Sequence, residues 1–189
     1  MGLFADKPVL DGEIVRLVPV TESDVDLLAP LMRDPEVAIL TGSVHHSHPT
    51  PAELEPHSAA ELRTIYRSWS TAEDRIVWTV RERAAGAVVG EVVLNDLDAD
   101  NHSCGFRIWT SGARGRGIGT EATRLAVGHA FARGLHRVEL EVFDFNPRAR
   151  HVYEKVGFGW EGTRRHALRF DDGWVDAHTM AILADDWPR

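Results

Sequence analysis

Between residues 103 and 133 the hydrophobic period of the chain changes from that of a strand to that of a helix, and a glycine-rich turn sits at the change. Ser103 to Thr110 (SCGFRIWT) alternates. Beyond Gly112 to Gly119, apolar residues recur at Ile118, Ala122, Leu125, Ala126, Ala130 and Phe131, which is helical spacing over Gly117 to Arg133. Upstream, Ile76 to Arg81, Ala87 to Leu97 and Ser103 to Thr110 read as a three-stranded meander, turned at Arg83 to Gly86 and at Asp98 to Asn101. Downstream, Arg137 to Phe143 is a strand and Pro147 to Val156 a helix. Gly162 to Phe170 and Trp174 to Leu183 are strands joined at Asp171-Asp172-Gly173, a hairpin signal. Near the start, Glu13 to Pro19 reads as a strand. Thr21 or Ser23 then caps a helix whose apolar face is Val25, Leu27, Leu28, Leu31 and Met32. Residues 41–57 (TGSVHHSHPTPAELEPH) have no usable period and form a loop that is long for a compact domain. A short amphipathic helix follows over Ser58 to Ser68. The order predicts one α/β (α+β) domain over residues 1–189: a mixed, mostly antiparallel central sheet flanked by helices and closed by a C-terminal β-hairpin.

The length of 189 residues suits one domain with a single hydrophobic core. A hydrophobic content of 43% and a charged content of 26% are those of an ordinary globular protein. The lone cysteine, Cys104, excludes an internal disulfide framework and fits a reducing compartment. No apolar run approaches the ~20 residues that cross a bilayer. Met1 to Leu10 lacks the pattern of a secretory signal, so no membrane association and a cytoplasmic address are expected. The net charge of −8 disfavours nucleic acid as a partner. It suits cationic amines, although acidity is also a common route to solubility.

The glycine-rich turn lies between a strand ending near Trp109 and a helix starting near Gly117. A helix N-terminus carries unpaired N–H groups and partial positive charge. Glycines let the backbone approach an anion closely, and together these make a cradle suited to a pyrophosphate. Arg114 and Arg116 can add attraction as planar, bidentate donors. The absence of Gly-Lys-Ser/Thr excludes a Walker loop. The turn itself also lacks the spacing G-x-G-x-x-G, and it follows a meander rather than a first βαβ strand, which disfavours a dinucleotide site.

Arg114-x-x-Gly117-x-Gly119 is similar to the R/Q-x-x-G-x-G/A signature of the GNAT superfamily of N-acetyltransferases. The helix start Gly117-Ile118-Gly119-Thr120-Glu121-Ala122 resembles that of its ribosomal-protein-alanine (RimJ/RimL-like) branch. A second block, Asn146 to Phe158 (NPRARHVYEKVGF), resembles the family's N-x-x-A/S-x-x-x-Y-E-K-x-G-F segment. The resemblance runs from the first strand to the closing hairpin and does not cover residues 41–57. It implies a GNAT-like fold with acetyl-CoA as the acyl-donor substrate and no metal. The donor's pyrophosphate would lie on the backbone of Arg114, Gly115, Arg116, Gly117, Ile118, Gly119 and Thr120. A backbone N–H within Phe106 to Trp109, at Ile108 or Trp109, would polarise the thioester carbonyl. Asn146 would bond the pantetheine arm and Arg150 a phosphate, and Tyr153 would be the general acid for the departing thiolate. Asn146-Pro147 is also a good helix start on its own terms, and it sets Asn146, Ala149, Arg150 and Tyr153 on one face. Ala149 stands where some members of the branch carry Ser and cannot donate a proton, which places more of the acid role on Tyr153.

An attacking alkylamine with a pKa of ~10.4 is neutral about once in a few thousand molecules at pH 7, so a base or water relay helps. Glu91 is the first candidate: it is read as sharing a strand face with Val89 and Val93, facing either a cleft or solvent. His166 and His178 are alternatives that titrate near neutrality, and Asp176 could pair with a cationic substrate. His45, His46 and His48 are expected to be loop polarity rather than metal ligands. The six tryptophans are expected in core and rim packing, and Cys104 in a buried strand rather than as a nucleophile. The reading is acetyl transfer to the primary amine of a small molecule, with loop 41–57 near the acceptor site. Alternatives are a peptide N-terminus as acceptor or a non-catalytic acyl-CoA sensor. The oligomeric state is left open, a homodimer included.

Overall fold

The structure, a computed structural model, describes residues 2–188. Among these, eight strands form one sheet: β1 (Leu10–Asp11), β2 (Val15–Pro19), β3 (Ile76–Glu82), β4 (Val88–Asp98), β5 (Ser103–Thr110), β6 (Arg137–Phe143), β7 (Gly159–Phe170) and β8 (Gly173–Leu183). Their spatial order is β1-β2-β3-β4-β5-β6-β8-β7, and only the β5–β6 pair is parallel. Five α-helices accompany them: α1 (Val25–Met32), α2 (Pro35–Leu40), α3 (Ala59–Thr71), α4 (Ile118–Ala132) and α5 (Pro147–Val156). The parallel pair needs a crossover, and α4 supplies it.

Alternation along the strands buries both faces. On one face Trp78, Val92, Leu94, Phe106 and Leu140 join the inner stripes of α4 and α5. On the other, Val77 packs with Leu28 of α1 and with Leu62 and Tyr66 of α3, and Val93 and Trp109 flank them. α3 begins where Ser58 and Glu61 close a reciprocal capping box, and α5 begins where Asn146 caps and Pro147 takes the first helical position. β5, β6 and α5 occupy the expected residues. β7 starts at Gly159, earlier than expected, because Gly159 and Trp160 pair with Ala181 and Met180. Two short elements, β1 and α2, were not expected.

The expectation that Glu91 shares a face with both Val89 and Val93 does not hold. Val80 pairs with Gly90 but Arg81 pairs with Val88, so β4 carries one extra residue at Val89. Such a bulge reverses the side-chain alternation. Val89 therefore points into the same core as Val92 and Leu94, whereas Val88 and Val93 face the α1–α3 side, and Glu91 with them. Gly90 makes the close strand approach possible, since a Cβ there would lie 2.1 Å from the Trp109 carbonyl oxygen.

Residues 41–57 form no helix or strand, and they are anchored across the molecule. The Asp171 N–H donates to the His45 carbonyl at 2.8 Å, and the Ser47 N–H to the Asp171 carboxylate at 3.0 Å. The loop therefore bridges from the end of α2 to the β7–β8 turn.

Candidate active site

β5 and β6 stay paired over only three residues, Ser103 to Gly105 against Arg137 to Glu139. Beyond that point β5 continues beside β4 and β6 beside β8, so the sheet splays open. Among the described residues, the backbone edge of β5 from Phe106 onward has no strand partner on the β6 side. The splay opens into a cleft of about 1050 Å³, which extends over the α1–α3 side of the sheet. Glu91, Ile108, Trp109, Arg114, Gly119, Asn146 and Tyr153, seven of the residues expected in the site, all line it.

At the head of α4 the loop turns through left-handed glycines, with φ of 72° at Gly115 and 77° at Gly117. An L side chain at either position would be strained. The first helical bond of α4 is from the Glu121 N–H to the Gly117 carbonyl at 3.0 Å. Among the described residues, the amides of Ile118, Gly119 and Thr120 thus find no backbone acceptor. A Cβ placed at Gly119 would meet nothing within 4 Å, so the approach to these amides is open. The arrangement fits an anion held by backbone donors. Ile118 can contribute only its backbone, since its side chain is fully buried.

The arginines divide. Arg114 lines the cleft and is ion-paired to Glu36 of α2. Arg116 turns to Glu82, with a bond of 2.6 Å, and to the Gly112 carbonyl. Arg150 bonds Glu154 one turn along α5 at 2.9 Å and does not line the cleft. The stripe that α5 presents inward is centred on Ala149, Val152, Tyr153 and Val156, so Arg148 and Arg150 flank it on opposite sides. The cleft runs along the Arg148 flank, and Arg148 is a lining residue that the sequence reading had not nominated. Asn146 lines the cleft, but its Oδ1 accepts the Ala149 N–H at 3.1 Å, leaving its amide NH2 for a ligand.

Tyr153 is 6% exposed and packs edge-to-face on Phe106 at 6.2 Å. Its hydroxyl makes no hydrogen bond to another described residue, and burial pushes its pKa up, so it keeps its proton at neutral pH. Glu91 is 5% exposed, which excludes the solvated-face alternative. Burial raises its carboxyl to about 7, while hydrogen bonds from Tyr66 and, more weakly, Trp109 pull the other way. The Tyr66 hydroxyl donates to Glu91 Oε2 at 2.5 Å.

The remaining candidates sit elsewhere. His178 lies between Asp144 and Thr163, at 3.0 and 3.1 Å. His166 has a left-handed φ of 53° and stacks on Trp174, and its N–H donates to Asp176. None of these three lines the cleft. His46 bonds Glu53 within the loop at 2.9 Å. Cys104 is buried in β5 with its thiol pushed up to about 12, as expected of a non-nucleophile. Trp69 and Trp109 line the cleft, whereas Trp160 and Trp174 are well exposed.

Three helpers were missed: Asp34, Glu36 and Tyr66. Glu36 lies in α2 and Asp34 caps its start; Asp34 also accepts the Ser111 hydroxyl at 2.8 Å, tying α2 to the glycine loop. Asp34-Pro35 is itself a helix-start signal that could have revealed it. Tyr66 was legible as part of an amphipathic helix, but nothing local marks its contact with Glu91.

A sheet splayed at its one parallel pair, with a glycine-turned amide cradle heading the crossover helix, is the architecture of acyl-CoA-dependent N-acetyltransferases. The chain belongs to the GNAT family, whose acetyltransferase domain model matches residues 15–159. It is 42% identical over 73 residues to the probable N-acetyltransferase YjcK of Bacillus subtilis, covering 38% of this chain and 40% of that protein. It thus spans less than two thirds of the length of that relative. It is 30% identical over 134 residues to the spermidine N(1)-acetyltransferase of Vibrio cholerae, covering 68% of this chain and 76% of that protein. Among solved structures, Mycobacterium smegmatis RimJ in complex with CoA-disulfide is similar in fold, with a TM-score of 0.80 over 100% of this chain and 92% of that one at 22% identity.

Proposed function

We propose that the protein transfers an acetyl group from acetyl-CoA to the primary amine of a small molecule, by direct attack in a ternary complex. The observation that carries this reading is the meeting, in one cleft, of an open amide cradle, a buried phenol and a buried carboxylate poised near neutrality. Backbone amides of Ile118 to Thr120 would hold the donor's pyrophosphate, with Arg114 and Arg148 at the rim. The unpaired edge of β5 between Phe106 and Trp109 would orient the pantetheine arm and offer an N–H to the thioester oxygen. A well-aimed donor of that kind is worth on the order of 3 kcal/mol.

Glu91 would take the proton from the attacking nitrogen. With its carboxyl at about 7, roughly half of the molecules carry the base form at neutral pH. Tyr153 would supply a proton to the sulfur as the C–S bond breaks. Its raised pKa forbids early transfer, but a hydrogen bond that tightens during cleavage does not require it. The small-molecule reading is supported by loop 41–57. The loop is anchored on Asp171 through Ser47, and its residues Glu53, Leu54 and Pro56 line the cleft, where they would narrow the acceptor side.

A thiol-release screen of acetyl-CoA against small primary amines and peptides with free N-termini tests this. Release with small amines is the expected result. Release with peptides alone would instead assign a peptide N-terminus as acceptor. Acetyl-CoA binding with no release from any amine would leave a sensor.

A further inference from the structure

Glu91 of β4 is held among three elements. Thr79 of β3 and Trp109 of β5 are its strand neighbours, and Tyr66 reaches it from α3. The charged groups around it include Asp24, on the 3-10 turn before α1, and Arg81 of β3, with Arg75, stacked over the Trp69 ring, and Glu36 and Glu53 lining the same cleft. Arg81 donates to Asp24 at 2.8 Å, so these two offset each other. Tyr66 therefore makes the strongest polar contact of the carboxylate: a bond of 2.5 Å between groups that are 2% and 5% exposed. A phenol can only donate to an ionised carboxylate, and such charge-assisted bonds are short and strong when dry. The Tyr66 ring is itself locked, with an edge contact to Trp69 at 5.3 Å and its hydroxyl 4.0 Å from the Met32 sulfur.

We infer that Tyr66 is the positioning residue of the Glu91 base: its hydroxyl pins Oε2 and leaves Oε1 as the oxygen free to meet the acceptor. This rests on the proposed base role of Glu91. Without the bond the carboxylate would lose its orientation and also its main compensation for burial, so more of it would be protonated at neutral pH. Two side chains distant in sequence thus act as one unit, one moving the proton and the other holding the base ionised and aimed.

The test reads the Glu91 carboxyl directly, by carbon-13 NMR titration of protein labelled at glutamate and assigned with Glu91→Gln. Tyr66→Phe should raise the Glu91 midpoint by about one pH unit, the scale of one hydrogen bond to a charged group. The acid limb of the turnover profile, with acetyl-CoA and the best amine of a primary-amine panel, should move with it. The chain has only two tyrosines, so 3-fluorotyrosine in a Tyr153→Phe background labels Tyr66 alone. The more acidic phenol should lower the Glu91 midpoint in a protein of nearly unchanged shape. That arm holds even if Tyr66→Phe does not fold. A midpoint unmoved by either change overturns the inference while the base reading stands on the inactivity of Glu91→Gln. Full turnover in Glu91→Gln overturns the base reading, and the positioning role with it, even if the midpoint moves.

Discussion

The carboxylate of Glu36 holds the guanidinium of Arg114 at the rim of the cleft, and Arg148 approaches the same oxygen at 3.9 Å. An acidic side chain thus occupies two of the arginines that line the cleft. An incoming phosphate must compete with it. Both arginines are largely exposed, so the competition is screened and modest. Glu36→Gln should tighten acetyl-CoA binding by no more than about fivefold at low salt, and the gain should fade as salt is raised. Titration calorimetry at two ionic strengths checks this. Equal affinity of mutant and wild type at low salt would show that the ligand does not engage these arginines.

Glu121 has a structural task. Its two oxygens accept the backbone N–H groups of Glu13, Ile14 and Val15 at 2.8, 2.7 and 2.6 Å, fixing the entry into β2 from the first turn of α4. Glu121→Ala strands these donors, of which the Val15 N–H belongs to a fully buried residue. A loss of about 2–3 kcal/mol is expected, or roughly 5–10 °C in Tm. Glu121→Gln should recover part of it. Thermal unfolding measures the loss, and retention of acetyl-CoA affinity within about twofold would separate this role from that of the cradle.

Why some of this was legible and some not follows from how far each signal reaches. β5 and β6 alternate cleanly, and Asn146-Pro147 is a local start signal, so these elements were read to the residue. The bulge at Val89 is a single inserted position that leaves no mark on composition or period, and it reversed the reading of which face Glu91 shares with Val89. Arg150 was expected in the site because helical spacing groups it with Asn146 and Tyr153. Only the direction of the cleft decides between Arg148 and Arg150 on either flank of one stripe. The Tyr66–Glu91 bond joins residues 25 apart through packing of a helix on a sheet, and no periodicity encodes that.

Tyr153→Phe keeps the ring on Phe106 and Phe158 and removes only the hydroxyl. Turnover should fall about 10²–10⁴-fold, the range of a general acid, with acetyl-CoA affinity within about twofold of wild type. Because burial raises the phenol, no basic limb from Tyr153 should enter the profile near neutral pH. Steady-state kinetics with a separate binding titration distinguishes the effects. Unchanged turnover would remove Tyr153 as the acid.

Glu91 should carry a stability penalty that its function explains. Its carboxyl is held at about 7 in the fold, against an ordinary 4.5, chiefly by burial. Between those values the folded protein keeps a proton that the unfolded chain has released, so stability falls as pH rises through this window and levels off above 7. Below 4.5 both states are protonated and no penalty remains. The gap corresponds to roughly 3 kcal/mol at pH 8. Glutamine is neutral throughout and can still accept from Tyr66. Glu91→Gln should therefore be more stable than wild type by up to that amount at pH 8, by progressively less toward pH 5, and lose turnover at every pH. Urea unfolding at several pH values reads the first effect. A stability difference that does not change with pH would mean that Glu91 does not titrate in this window, and would leave it without the poise that a base at neutral pH needs.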